Sequence, residues 1–251
     1  MIDLHSHILP GLDDGARTQD ESVAMAREWV AAGVTTVACT PHSEPHIPKS
    51  SLAIAVDRLQ SALDAAGIAL RLALGVEVFL EPDMASLIER EYAFTLGGTR
   101  YMLVELPFQV WPQHTEQTLF ELQVRGVTPI LAHPERYRAV QLHPERIGPL
   151  VERGVLMQIT AYSVTGRGGR EFQKAAETLL RHGHVHLIAS DSHRPGQPSN
   201  LPQAMTAAAK IVGEAGARTL VEDNPAAILA DADPASITAP PALQSRRWPF
   251  G

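Results

Sequence analysis

The chain has 251 residues, one cysteine and a net charge of −7, with 45% apolar and 20% charged residues. That length fits one large α/β domain or two small ones around a sizeable core. The acidic balance speaks against nucleic acid as the main partner, no apolar stretch approaches the ~20 residues of a membrane span, and Cys39 alone cannot form an intrachain disulfide. No signal peptide precedes the first apolar run, so a soluble protein of the reducing cytoplasm is expected. A phosphate-bearing substrate stays open, because bound cations invert the local field.

Met1–Leu4 reads as a short strand, and the two-residue repeat of extended backbone turns His5 and His7 to one side. Asp13 and Asp14 follow in a turn closed by Gly15. Thr18 and Glu21 have capping-box spacing ahead of a helix carrying Val23, Ala26 and Val30. A strand is expected over Val34–Thr40, then a helix with Leu52, Val56, Leu59 and Leu63 on one face. Strands Ala69–Phe79, Tyr101–Leu106 and Thr128–Ala132 come next, and Pro144 suits the first turn of a helix bearing Ile147, Leu150 and Val151. Val155–Thr160 and Val185–Ser190 complete seven apolar runs. Gly33, Gly67, Gly126, Gly154 and Gly183 each fall between a helix and the next run, where a left-handed residue closes the helix. Alternating strand and helix imply a parallel sheet, closed as a barrel or open and doubly wound. After Asp231 the chain turns to proline and small polar residues. Residues 1–230 therefore read as one domain and 231–251 as an irregular, loosely held tail, with packing of Trp248 and Phe250 on the body or on a neighbour in a homo-oligomer as the alternative.

The ends of the seven strands carry the chemistry. The first is followed by His5 and His7, the second by His42; the third and fourth hold Glu77 and Glu105 near their ends, the fifth leads to His133 and the seventh to Asp191 and His193. The sixth, ending near Thr160, lacks a strong ligand. Parallel α/β folds place their sites at these carboxyl ends. Glu77 and Glu105 each interrupt a buried run, which is costly unless the carboxylate is paired or bound to a cation. With Asp14 the candidates are five histidines and four acids, too many for one ion and suited to two or three first-row divalent ions sharing carboxylates.

Asp-Leu-His-Ser-His, Thr-Pro-His, Gly-Val-Glu, Ala-His-Pro-Glu-Arg-Tyr and Ala-Ser-Asp-Ser-His resemble, in order and spacing, the motifs of the PHP (polymerase and histidinol phosphatase) superfamily. Within it, Asp13-Asp14-Gly15 and Glu135-Arg136-Tyr137 are similar to bacterial capsule-regulating protein-tyrosine phosphatases. The resemblance implies a distorted seven-stranded parallel (β/α) barrel with a trinuclear, usually Mn²⁺-activated site; Fe, Zn, Co and Mg are the alternatives. It groups His5, His7, Glu77 and Asp191 around one ion, Glu77, Glu105 and His133 around a second, and Asp14, His42 and His193 around a third. Arg136 matches the family's phosphate-binding arginine and Arg194 is an approximate counterpart of a second. The implied substrate is a phosphotyrosine protein such as a bacterial tyrosine kinase, in regulation of exopolysaccharide or capsule synthesis.

Metal coordination brings the pKa of water to about 7, so hydrolysis of a phosphomonoester by metal-bound hydroxide, without a phosphoenzyme, is the expected chemistry. Cysteine chemistry is not expected: Cys39 lies inside an apolar strand, and Pro45 stands where a Cys-x5-Arg loop needs its arginine. His182, His184 and His186 start a strand and so belong to the opposite end; His46 could line the pocket, and His114 and His143 start helices and read as solvated. Phe108, Trp111 and Tyr162 are candidates for an apolar wall around an aromatic ring. The rival readings are a histidinol-phosphate or other small-molecule phosphatase, a PHP-type phosphodiesterase, and a metal-stabilised module without activity.

Overall fold

The computed structural model describes residues 1–42, 48–82, 84, 95–196 and 200–242. Among them, eight parallel strands form two sheets. The first runs β1 (Ile2–Asp3), β2 (Thr36–Cys39), β3 (Arg71–Leu74); the second runs β4 (Glu77–Phe79), β5 (Tyr101–Glu105), β6 (Thr128–Ala132), β7 (Leu156–Thr160), β8 (Leu187–Ala189). Helices follow most strands, as the alternating sequence pattern requires. The five glycines marked as helix stops all have positive φ.

One expected strand is two. Ala69–Phe79 breaks between β3 and β4 at Gly75-Val76, because the backbone there presses against its neighbours. A Cβ at Gly75 would lie 2.7 Å from Leu96 Cδ2, and its N–H donates to Cys39 O at 3.0 Å. Seven runs thus become eight strands in two sheets rather than one evident seven-stranded sheet. Isolated parallel bridges Ser6↔Ser192 and His42↔Glu77 link the sheets at both joins.

Strands buried on both faces sort their residues by a two-residue period. Leu103, Ile130, Ala132, Leu156 and Leu187 form an inner cluster with Leu4, Ala38 and Ile228. Met102, Val104, Leu131, Met157 and Ile188 face the helices. Glu105 follows Tyr101 and Leu103 on the inner side, and Gln158 follows Leu156, so the inner layer turns polar toward the carboxyl ends.

The helix Gln19–Ala31 buries Ala26 and packs Val23 against the core as expected, while its Val30 turns outward. Thr18 Oγ1 caps it by accepting from Glu21 N at 3.2 Å, while Glu21 Oε2 accepts from Arg17 N at 2.7 Å. Its buried face is Ser22, Met25, Ala26 and Trp29, and Val30 is exposed. Two polar anchors set that rotation: Ser22 Oγ donates to Ile8 O at 2.6 Å and Trp29 Nε1 to Asp3 Oδ2 at 2.8 Å. The helix Lys49–Ala65 buries the expected Leu52, Val56, Leu59 and Leu63.

The described part of the C-terminal stretch is irregular apart from a short turn at Pro234–Ser236, yet it is held down. Ile237 joins the inner cluster, Asn224 Nδ2 donates to Thr238 O at 2.9 Å, and Tyr101 Oη donates to Ala232 O at 2.7 Å. Trp248 and Phe250 lie outside the described residues.

The three clustered histidines do sit at the opposite end. His186 is buried there; its Nδ1 accepts from Met157 N at 3.1 Å and its carbonyl accepts from Asn224 Nδ2 at 2.8 Å. Burial, with help from the charge of His184, lowers the His186 imidazole to about 4. Between that value and the ordinary 6.5 the unfolded chain binds the extra proton, so stability falls as pH drops through this window. The full effect is about 3 kcal/mol. His186→Asn, whose Oδ1 can accept the same N–H, is expected to remove that part of the acid sensitivity in urea unfolding at pH 7 and pH 4. An unchanged difference between the two pH values would refute the assignment.

Candidate metal centre

The site begins under β1. Asp3 is buried, with Oδ1 accepting from Ser190 N at 2.9 Å and His5 N at 3.3 Å. Burial pushes its carboxyl up although these donors pull it down. Ser6 is pinned sideways, its N–H donating to Thr40 Oγ1 at 2.9 Å and its hydroxyl to Ala38 O at 2.7 Å. The residues flanking Ser6 are therefore fixed before any ligand is considered.

His5 and His7 are fully buried, and each has one nitrogen spoken for. His5 Nδ1 meets Gln158 Oε1 at 2.9 Å, and the Gln158 amide is oriented by its Nε2 donating to Ile159 O at 2.8 Å. His7 Nδ1 meets Asp13 Oδ2 at 2.7 Å, and Asp13 Oδ1 accepts from Gly15 N at 2.9 Å. With a proton on each Nδ1, both Nε2 atoms present lone pairs, and they lie 3.3 Å apart. Each is also 3.3 Å from Asp191 Oδ1, while Glu77 Oε1 lies 3.3 Å from His5 Nε2. Acceptors converging on a common point are what a cation satisfies, so these residues fit a divalent metal.

The remaining candidates extend the same cluster. His133 Nε2 is 2.9 Å from Glu77 Oε1 and 3.6 Å from Glu105 Oε1. His42 Nδ1 lies 3.1 Å from Glu77 Oε2 and 3.7 Å from Glu105 Oε2. At the mouth, Asp14 Oδ1 is 3.5 Å from both His42 Nε2 and His193 Nε2. Four sets each keep their donor atoms within 4.8 Å: His5/His7/Asp191, His5/Glu77/His133, His42/Glu77/Glu105 and His7/Asp14/His42/His193. All nine sequence candidates are brought together. The sets overlap at His5, His7, His42 and Glu77, so the donors form one shared cluster.

Electrostatics follow from this crowding. Despite burial, the imidazoles of His5, His133 and His42 hold the Glu77 carboxyl well below the usual range, and His5 and His7 hold Asp191 down likewise. Burial opposes protonation of His5, yet Glu77 and Asp191 bring it up to about 9. Burial and the charge of Glu77 push Glu105 up. His133 (φ 32°) and Asp191 (φ 54°) both occupy the left-handed region, which costs energy for residues with a Cβ and re-aims the chain as it leaves β6 and β8.

The Glu-Arg-Tyr segment divides its labour. Glu135 is buried, its Oε1 accepting from Thr160 N and Oγ1 at 2.9 Å, and Tyr137 Oη accepts from Leu106 N at 2.9 Å. Arg136 turns outward: Nη1 donates to Asp191 Oδ2 at 2.6 Å, and its guanidinium carbon sits 4.6 Å above the Phe108 ring. Arg194 faces another side, Nη2 donating to Asp14 O at 3.4 Å. A cavity of about 600 Å³ opens beside the cluster and is lined by Arg136, Tyr162, Arg167, Asp191 and His193, among others. Trp111 stands back from it, edge-on to Tyr137.

Sequence reasoning missed Gln158, the orienting role of Asp13, and Arg167. Gln158 lies on the strand judged empty of ligands, and its polarity inside an apolar run was the available signal. Gln158→Leu is expected to weaken metal binding about 10–100-fold, measured by metal titration. Wild-type affinity would show that His5 needs no such support. His46 lies outside the described residues, His143 is exposed, and His114 departs from the solvated reading, with Nε2 buried. Cys39 is buried, and burial pushes its thiol far up, away from the thiolate a nucleophile requires. Cys39→Ala should retain turnover within about twofold; a dead, folded variant would point to cysteine chemistry.

Residues 1–230 match the family model for capsular polysaccharide synthesis, CpsB/CapC. The chain belongs to the CpsB/CapC family. It is 35% identical over 196 residues to the tyrosine-protein phosphatase YwqE of Bacillus subtilis, covering 77% of each chain. It is 30% identical over 240 residues to the tyrosine-protein phosphatase CpsB of Streptococcus pneumoniae, covering 92% of this chain and 99% of that one. In three dimensions it superimposes on a chain from the crystal structures of these two proteins, described as unique metal-dependent tyrosine phosphatases, with a TM-score of 0.90 at 30% identity over 98% of this chain and 100% of that one. The CpsB/CapC fold is thus an α/β fold of parallel sheets. No helix among the described residues is long and apolar enough to cross a membrane.

Proposed function

We propose that the protein is a metal-dependent protein-tyrosine phosphatase acting on a phosphotyrosine protein, a bacterial tyrosine kinase of capsule or exopolysaccharide synthesis, in the cytoplasm. The observation that carries this reading is the convergence of nine imidazole and carboxylate groups beneath a cavity with Arg136 at its rim. His5, His7, Asp14, His42, Glu77, Glu105, His133, Asp191 and His193 would hold two or three ions, with Mn²⁺ the first choice. Divalent ions supply water of lowered pKa and neutralise phosphoryl charge.

The protein's own groups do the rest. Gln158 and Asp13 hold His5 and His7 in the tautomer that points both Nε2 atoms inward. Arg136 offers a planar fork to phosphate oxygens and is aimed by Asp191. Arg194 serves at most the outer edge. Phe108, 5.5 Å from the His133 ring, and the half-exposed Tyr162 can flank a substrate ring. The two sheets read as one distorted seven-stranded barrel, with β3 and β4 as halves of one strand, and residues 1–230 as its domain.

The test is steady-state hydrolysis of a phosphotyrosine peptide, histidinol phosphate and a phosphodiester after chelation and Mn²⁺ add-back. Metal-dependent turnover favouring the peptide is expected. Preference for histidinol phosphate would keep the site and replace the substrate; preference for the diester would replace the reaction.

A further inference from the structure

The cavity beside the donor cluster does not end there. It shares Arg136 and Phe172 with a second cavity of about 480 Å³, which also takes in Arg138 and Glu171. That one shares Arg138 and Glu171 with a third, of about 490 Å³, reaching Lys174 on the helix Arg170–Arg181. The three adjoining cavities follow one another from Asp191 and His193 across the surface, a succession that suits an extended chain better than a compact metabolite.

Its charge runs against the rest of the molecule. In a chain of net charge −7, the groove carries Arg136, Arg138, Arg167 and Lys174, with Glu171 as the acid beyond the donor cluster. Arg136 is committed to Asp191, and Arg167 donates to the neutral Asn200 Oδ1 at 3.0 Å. Arg138 and Lys174 are exposed and have no carboxylate within ion-pair distance among the described residues. Unpaired cations along a groove are complementary to acidic side chains.

We propose that this groove binds the acidic flank of an extended phosphotyrosine peptide while the phosphoryl group occupies the donor cluster. The inference rests on the phosphatase reading and names the substrate class within it. Each exposed pair contributes up to about fivefold in affinity, so Arg138 and Lys174 together give a preference of about tenfold.

The experiment uses the full Mn²⁺-loaded chain and compares kcat/KM for phosphotyrosine peptides with three glutamates or three serines on either side, with p-nitrophenyl phosphate as a probe lacking any flank. Acidic peptides should be preferred about tenfold at low salt, through KM, on one side of the phosphotyrosine. The preference should vanish at high salt and in the double variant Arg138→Ser, Lys174→Ser, with p-nitrophenyl phosphate turnover unchanged. Equal rates for acidic and neutral peptides, or a preference that survives in the folded double variant, would overturn the groove while leaving the phosphatase reading intact. No turnover of any of the three by the metal-loaded protein would overturn both.

Discussion

Glu77→Gln is expected to lower turnover by at least about a thousandfold, a loss of about 4 kcal/mol in transition-state stabilisation. Glu77 is the carboxylate on which the cluster turns. Its two oxygens lie within 3.6 Å of nitrogens on His5, His7, His42 and His133. Glutamine keeps the volume but replaces one acceptor by an amide NH₂, which faces lone pairs and cannot share a cation. The measurement is turnover together with bound metal per chain, and circular dichroism to confirm the fold. A folded variant with normal metal content and normal turnover would remove Glu77 from the mechanism.

Gly15→Ala should come next in size, although Gly15 holds no ligand of its own. A Cβ there would overlap the His7 carbonyl oxygen and lie 2.5 Å from His7 Cβ and 2.9 Å from Asp13 Oδ1. Neither backbone nor the paired carboxylate can yield cheaply, since His7 O accepts from Ala16 N at 3.0 Å and Asp13 orients His7. Overpacking of this kind costs about 3 kcal/mol, and losing the orientation of His7 should weaken metal binding about 10–100-fold. Gly148→Ala, whose Cβ would meet only the His184 ring at 3.5 Å, is the control. Thermal unfolding and metal titration of the pair decide it, and equal behaviour would mean the Asp13–Gly15 turn can relax.

That nine donors would meet at one end of the sheet could be read from residue order alone, because a strand's end is a fixed place in a parallel fold and imidazoles and carboxylates stand out against apolar runs. What escaped depends on partners distant in sequence. Gln158 matters only because β7 brings it opposite His5, and Arg167 because the chain after Ala161–Val164 returns to the cavity. The break at Gly75 is imposed by Leu96, and the rotation of the first helix by the bond from Trp29 to Asp3. Local pattern contains none of these distances. The grouping of donors was likewise beyond spacing, since Glu77 and three of the histidines each serve two sets.

The bridge between Ser6 and Ser192 has a bearing on biosynthesis. Asp191 and His193 leave the ribosome some 185 positions after His5 and His7, a wait on the order of ten seconds or more at ordinary translation rates. Until then His5 and His7 lack the carboxylate of the set they share with Asp191, and Ile237, which fills the inner layer, emerges later still. The set formed by His5, His7 and Asp191 therefore closes only once the segment carrying Ser192 has been made and has met the one carrying Ser6.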